Sequence, residues 1–283
     1  MPNLTSPKEL QAILAAHGIQ PSRRLGQNFL IDRHVLDFIV EAARLQPGDH
    51  VLEVGPGAGV LTQELLACGC HVLAVEKDAG LHALLAERWT AEPLLDLRLG
   101  DALELDYAAV FAPEAARLLV SNLPYSVGTR VVVEAAIQET PPERMVVLVQ
   151  KEVAERFVAK PGTADMGTAG VWLQQVYDVE IMRLVKPSCF WPAPDVTSAI
   201  VRMERHNRLP LDAAERARLR ALTRIAFQHR RKQMAPLYRN APGDLAATPD
   251  EMRARLQALG LPENARAEEL SVDEWCALAR KPV

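Results

Sequence analysis

The sequence predicts an α/β protein, a seven-stranded and mostly parallel sheet followed by a small all-α unit. Three observations carry that prediction. Between residues 50 and 150, short apolar runs alternate with helical patterns of about ten residues, as in a parallel sheet covered by helices on both faces. The first of these runs, HVLEV, opens directly into GPGAG, a tight turn that glycine backbone accommodates. Past residue 206 the apolar spacing is helical throughout.

The elements follow in order. Ser6-Pro7-Lys8-Glu9 fits a capped helix start, with Ser at the N-cap, Pro at the first position and Glu at the third, and a short helix runs to about His17. A basic loop, PSRRLGQNFLID, leads to Asp32, which caps a helix over roughly 33–45. Residues 50–54, 71–76, 94–101, 116–122 and 144–150 read as five parallel strands, with helices over 60–69, 79–89 and 127–139. Two more helices, 151–159 and 168–177, precede strand-like runs at 178–185 and 196–204. The proline-rich loop KPSCFWPAPD between these runs returns one antiparallel to the other. Helices are then expected near 211–228, 230–239, 249–258 and 271–280, the last opened by a Ser271/Glu274 capping box. The expected domains are 1–205, a catalytic domain whose residues 1–46 form a helical and loop extension, and 206–283, a small helical domain.

Bulk properties narrow the class. A chain of 283 residues with 49% hydrophobic and 24% charged residues is an ordinary globular protein. No run approaches the roughly 18 apolar residues of a membrane span, and the N-terminus lacks a basic-then-apolar signal layout, so a cytoplasmic location is expected. Cys68, Cys70, Cys189 and Cys276 form no Cys-x-x-Cys pair and have no histidine at ligand spacing, so reduced thiols and no metal site are expected. The net charge of −4 hides an asymmetry: residues 201–240 hold eleven Lys and Arg against three acids. Such a cluster suggests an anionic partner surface.

The glycine turn places Gly55, Gly57 and Gly59 after a strand, with Glu76 ending the next one, a Rossmann-like layout for a nucleoside ligand. Glycines allow close approach of the ligand, and Glu76 is positioned to accept from ribose hydroxyls. The spacing is G-x-G-x-G, and Glu53 lies two residues before the first glycine. A carboxylate there opposes a pyrophosphate and suits a ligand with an ammonium group. S-adenosylmethionine has that group, a ribose, an adenine and no phosphate. Asp101, at the end of the third strand, is placed to accept from the adenine amino group.

The fourth strand ends in Asn122-Leu123-Pro124-Tyr125. An exocyclic base nitrogen is a poor nucleophile because its lone pair is delocalised into the ring. Two acceptors that grip its N–H bonds favour a pyramidal nitrogen whose lone pair points at a methyl donor. The Asn122 side-chain oxygen is one acceptor, the backbone carbonyl of Leu123 or Pro124 is the other, and Tyr125 offers a face on which the base stacks.

Several stretches together are similar to a known family. NLPYSV resembles the N-(L/P)-P-Y motif of adenine-N6 methyltransferases, and RRLGQNFLID, LEVGPGAGVLT, VQKEVAERFVAKPGT, CFWPAPDVTSAIVRM and AFQHRRKQM resemble the bacterial ribosomal RNA adenine dimethyltransferases. The resemblance covers about residues 20–240. It implies an S-adenosylmethionine-dependent methyltransferase sheet and a helical C-terminal domain that binds RNA. It also implies N6,N6-dimethylation of two adjacent adenosines near the 3′ end of 16S rRNA, within the small (30S) subunit or its precursor, by a monomeric protein with a role in subunit biogenesis. Cofactor contacts carry over to Asn28, Leu30, Gly55, Glu76, Asp101 and Asn122, and the flanking Gln27, Lys77 and Ala102 are counted with them. The target adenine is expected between Tyr125 and Phe190. Arg23, Arg24, Arg224, Arg230, Arg231 and Lys232 are the expected phosphate contacts. The chain departs from the family pattern at Ser126, Met166, Asp195 and Thr197, all in flanking loops. Two other readings stay open: an adenine-N6 methyltransferase of large-subunit rRNA or DNA, and a non-catalytic ribosome-assembly factor.

Overall fold

The computed structural model describes residues 3–22, 26–112 and 115–280. In chain order the elements are α1 (Pro7–Ala16), β1 (Phe29–Leu30), α2 (Arg33–Ala43), β2 (His50–Val54), α3 (Val60–Ala67), β3 (His71–Glu76), α4 (Ala79–Arg88), β4 (Leu95–Leu99), α5 (Tyr107–Val110) and β5 (Leu118–Asn122). They continue with α6 (Gly128–Ala136), β6 (Arg144–Gln150), α7 (Lys151–Phe157), α8 (Thr168–Val176), β7 (Tyr177–Val185), β8 (Phe190–Trp191), β9 (Ser198–Arg205), α9 (Ala213–Gln228), α10 (Pro249–Ala258) and α11 (Val272–Ala279).

Seven strands form one sheet in the order β4-β3-β2-β5-β6-β9-β7. The first five pair in parallel, and β9 lies antiparallel to β6. The expected architecture is therefore present. Near-continuous apolar strands such as MVVLV suit a sheet covered on both faces. One core packs Leu36, Ile39, Leu61 and Leu65 of α2 and α3 against strand residues Val51, Val72, Val120 and Val146. The N-caps that the sequence marks at Ser6 and Asp32 are formed, each side chain accepting from the third helical N–H.

Three features differ from the sequence reading. A two-stranded ribbon joins β1 to β8, pairing Phe29 with Trp191 and Leu30 with Phe190. Strands this short carry no periodic signal. The helix expected over 230–239 is only a single tight turn at Ala235–Tyr238. Gln233 instead bridges Arg266, and Pro236 removes a helical donor. Finally, the chain divides into two compact units that are not contiguous in sequence. One comprises Met1–Ala154 with Glu180–Arg205; the other comprises Glu155–Val179 with His206–Val283. Inside the second unit α8 is tied to later residues: Trp172 Nε1 donates to Thr223 Oγ1 at 2.9 Å, and Gln175 Nε2 to the Leu209 carbonyl at 2.8 Å. A boundary drawn at 205 from the change in local periodicity cannot register such long-range contacts.

Candidate active site

The sheet order turns around at β2. The chain moves outward through β3 and β4 on one side, then through β5 and β6 on the other, so the carboxyl ends of β2 and β5 open a crevice. A cavity of about 310 Å³ occupies this edge, within the range of small-ligand sites. Of the expected cofactor residues, Gln27, Asn28, Leu30, Glu53, Gly55, Gly57, Glu76, Lys77, Asp101, Ala102 and Asn122 line it, together with Leu123, Pro124 and Tyr125.

Gly55 and Gly57 have φ of +67° and +62°, a region costly to side chains. A Cβ at Gly55 would lie 2.9 Å from Pro124 Cγ, and one at Gly57 3.1 Å from the Phe29 ring. The turn therefore nests against the Asn122 turn on one side and the β1 loop on the other. Gly59 is not among the residues that line the cavity. It precedes α3 with φ +84°, and a Cβ there would come within 2.5 Å of Trp89. Its glycine serves packing.

The acids are held differently. Glu53 is 2% exposed and accepts from Thr62 Oγ1 at 2.7 Å. Burial, with no cation among the described residues to balance it, pushes its pKa up to about 8. Glu76 accepts from the backbone N–H groups of Gly57 (3.1 Å) and Asp78 (2.8 Å), and burial raises its pKa as well. Asp101 accepts from Lys77 Nζ at 2.6 Å and caps a short turn through Leu103 N, and the lysine bond holds its carboxyl below the usual range. Gln27 bridges the Ser22 N–H and Asp78, which fixes the loop before β1.

Asn122 Nδ2 donates to the Asn28 carbonyl at 3.3 Å. That bond orients the amide, and its oxygen has no hydrogen-bond donor among the described residues. The structure separates the two candidate backbone acceptors. The Pro124 carbonyl accepts from both Val127 N and Gly128 N at 3.1 Å, which occupies it at the start of α6. The Leu123 carbonyl is left as the available acceptor. Tyr125 hydrogen-bonds Ser198 through its hydroxyl, and burial raises its pKa.

Phe190 likewise lies apart from the cavity lining. Its ring is 3% exposed, packs in the sheet core with Leu30 and Leu36, and does not line the cavity. The β1–β8 register explains this. It sets Phe190 opposite the buried Leu30, while Trp191 stacks on Phe29 with ring centres 6.4 Å apart.

The basic residues are less free than their density suggests. Arg202 pairs with Glu180 at 3.1 Å, while Arg208 pairs with Asp178 and Arg218 with Asp244. Arg230 donates to the carbonyls of Ala164 and Met166 and lies 3.6 Å from Glu268. Arg224 stacks over Trp172, 5.0 Å from the ring centre. Arg231 and Lys232 are exposed and have no ion pair among the described residues. Arg23 and Arg24 lie outside the described residues.

Thr62 and Ser198 escaped the sequence reading. Each is a buried hydroxyl within an apolar run, and that contrast is the signal that marks them.

Comparison with known proteins adds the following. The family described as "Ribosomal RNA adenine dimethylase" matches residues 19–281. The "Ribosomal RNA small subunit methyltransferase A" of Opitutus terrae is 40% identical over 278 residues, covering 96% of this chain and 97% of its own. The protein of the same name from Deinococcus radiodurans is 39% identical, covering 98% of this chain and 90% of its own. Among solved structures, a dimethyladenosine transferase from Plasmodium falciparum shares the fold with a TM-score of 0.71 at 22% identity, covering 88% of this chain and 95% of its own. The 23S rRNA methyltransferase ErmE aligns with a TM-score of 0.67 at 26% identity, covering 89% and 98%.

Proposed function

The chain belongs to the ribosomal RNA adenine dimethylase family, and from that premise we propose that it dimethylates N6 of two adjacent adenosines near the 3′ end of 16S rRNA, in the small subunit or its precursor. The donor is S-adenosylmethionine, the protein acts as a cytoplasmic monomer, and its activity serves subunit biogenesis. No helix among the described residues is long and apolar enough to cross a membrane.

The cavity's chemistry fits that donor. Glu53 is a buried carboxyl with no cation beside it among the described residues, suited to an ammonium group. Glu76 keeps lone pairs beyond its two backbone bonds, and Asp101 stands at the same edge. When bound, S-adenosylmethionine supplies an electrophilic methyl group.

The observation that carries the reading is the pair of available oxygens, Asn122 Oδ1 and the Leu123 carbonyl, presented side by side at the end of β5. They accept the two N–H bonds of the target amine and hold its lone pair out of the ring plane. Preorganised acceptors of this kind lower a barrier because they need no rearrangement in the transition state. The Tyr125 ring supports a base that has left its stack, a step that takes a few kcal/mol. After one transfer a single N–H remains, and either oxygen suffices to hold it.

The test is to incubate the protein with labelled methyl donor and unmethylated small subunits, digest the RNA and look for N6,N6-dimethyladenosine. Methylation of naked large-subunit RNA or DNA with none of the small subunit overturns the substrate. No transfer to any of them overturns the activity and leaves an assembly factor.

A further inference from the structure

We propose that the N-terminal segment Asn3–Leu10 is a wall of the cofactor site, with Leu4 and Leu10 closing the cavity over the nucleoside end of the donor and setting how long it stays. This deepens the functional reading above and rests on it. Leu4 is 3% exposed, Leu10 is fully buried, and both line the cavity.

Two sets of contacts hold them there. Leu10 and Leu14, one turn apart on α1, pack with Phe29, Ala58 and Leu81. Ala58 belongs to the glycine turn, and Leu81 lies in the first turn of α4, five residues past Glu76. That places the segment at the ribose and purine side. Leu4 lies in a turn that its neighbours fix. Ser6 N donates to the Asn3 carbonyl at 3.0 Å, Thr5 N and Oγ1 donate to Asn3 Oδ1 at 3.1 and 2.7 Å, and Asn3 N donates to Glu9 Oε2 at 2.8 Å. These exposed local bonds fix the turn that carries Leu4 inward. An apolar wall suits the face of a purine and the edge of a ribose, which gain by leaving water.

The arrangement bears on turnover. Each adenosine takes two methyl groups, so spent donor must leave and fresh donor enter while the same RNA region is served. A wall held by side-chain packing and exposed hydrogen bonds is a local element that can open without unfolding the sheet.

The experiment compares Leu4→Ala with Leu14→Ala in the full chain. Leu14 packs on the same helix and does not line the cavity. Stopped-flow displacement and calorimetry with S-adenosylmethionine are expected to give about a tenfold faster release and about a tenfold higher Kd for Leu4→Ala. Leu14→Ala is expected to lower the melting temperature and leave the cofactor constants in place. If Leu4→Ala releases the donor at the wild-type rate, or if Leu14→Ala weakens binding as much as Leu4→Ala does, the wall is not there. A wild-type chain that fails to bind the donor overturns the functional reading as well, which separates the two failures.

Discussion

Asn122 and Asn28 are joined through the Nδ2 of one and the backbone carbonyl of the other at 3.3 Å, so the turn that ends β5 is pinned to the loop that leads into β1. The bond uses one N–H of the Asn122 amide and leaves its oxygen without a donor among the described residues. Asn122→Ala removes the acceptor, and kcat is expected to fall by about 10²–10³-fold with the fold intact. Asn122→Asp keeps acceptor oxygens but sets a carboxylate against the Asn28 carbonyl, and is expected to fall between the two. Mass spectrometry of digested RNA measures both.

Glu53 offers a test with a defined sign. Its pKa in the folded protein is about 8 against a reference of 4.5. A raised acid favours folding fully below the lower value, and that contribution is lost as pH climbs through the window to the upper one. The wild type is therefore expected to lose stability relative to Glu53→Gln between about pH 4.5 and pH 8, on the order of a few kcal/mol over the whole window. A bound ammonium reverses the preference. Donor binding should release a proton and tighten with pH in the wild type, and Glu53→Gln should bind more weakly without that dependence. Calorimetry in buffers of different ionisation heat reads the proton directly.

Tyr125 and Phe190 are separable by what they disturb. Tyr125→Ala removes a cavity ring and is expected to lower kcat/KM strongly, whereas Tyr125→Phe, which loses only the bond to Ser198, is expected to cost a few-fold. Phe190→Ala empties a core position and is expected to cost about 3–5 kcal/mol of stability. A Phe190→Ala protein that melts like the wild type but fails to methylate would return the ring to the base.

Arg231→Ala and Lys232→Ala are each expected to shrink the salt slope of RNA binding by somewhat less than one, with no change in melting. Arg230→Ala is expected to lower the melting temperature, since that side chain holds the carbonyls of Ala164 and Met166. Filter binding across a salt series, beside a melt of each variant, separates the two roles.

The strand and helix pattern from 50 to 150 was legible because each element repeats its own period, and the site edge was legible because its residues follow strands directly. Glu53, Gly55, Glu76 and Asn122 all lie within a residue or so of a carboxyl strand end. What stayed hidden depends on contacts distant in sequence. Gly59 looks like a ligand glycine until Trp89 is seen beside it. Phe190 looks like a loop aromatic until the ribbon with β1 turns it inward. The basic window looks like a phosphate surface until Asp178, Glu180 and Asp244 claim three of its arginines.

The short ribbon has a mechanical corollary. Neighbouring side chains on an extended strand point in opposite directions, so a slip of one residue in the β1–β8 register exchanges the ring that faces the core. Such a slip would send the indole into the space the phenyl ring fills and turn the phenyl ring towards Phe29.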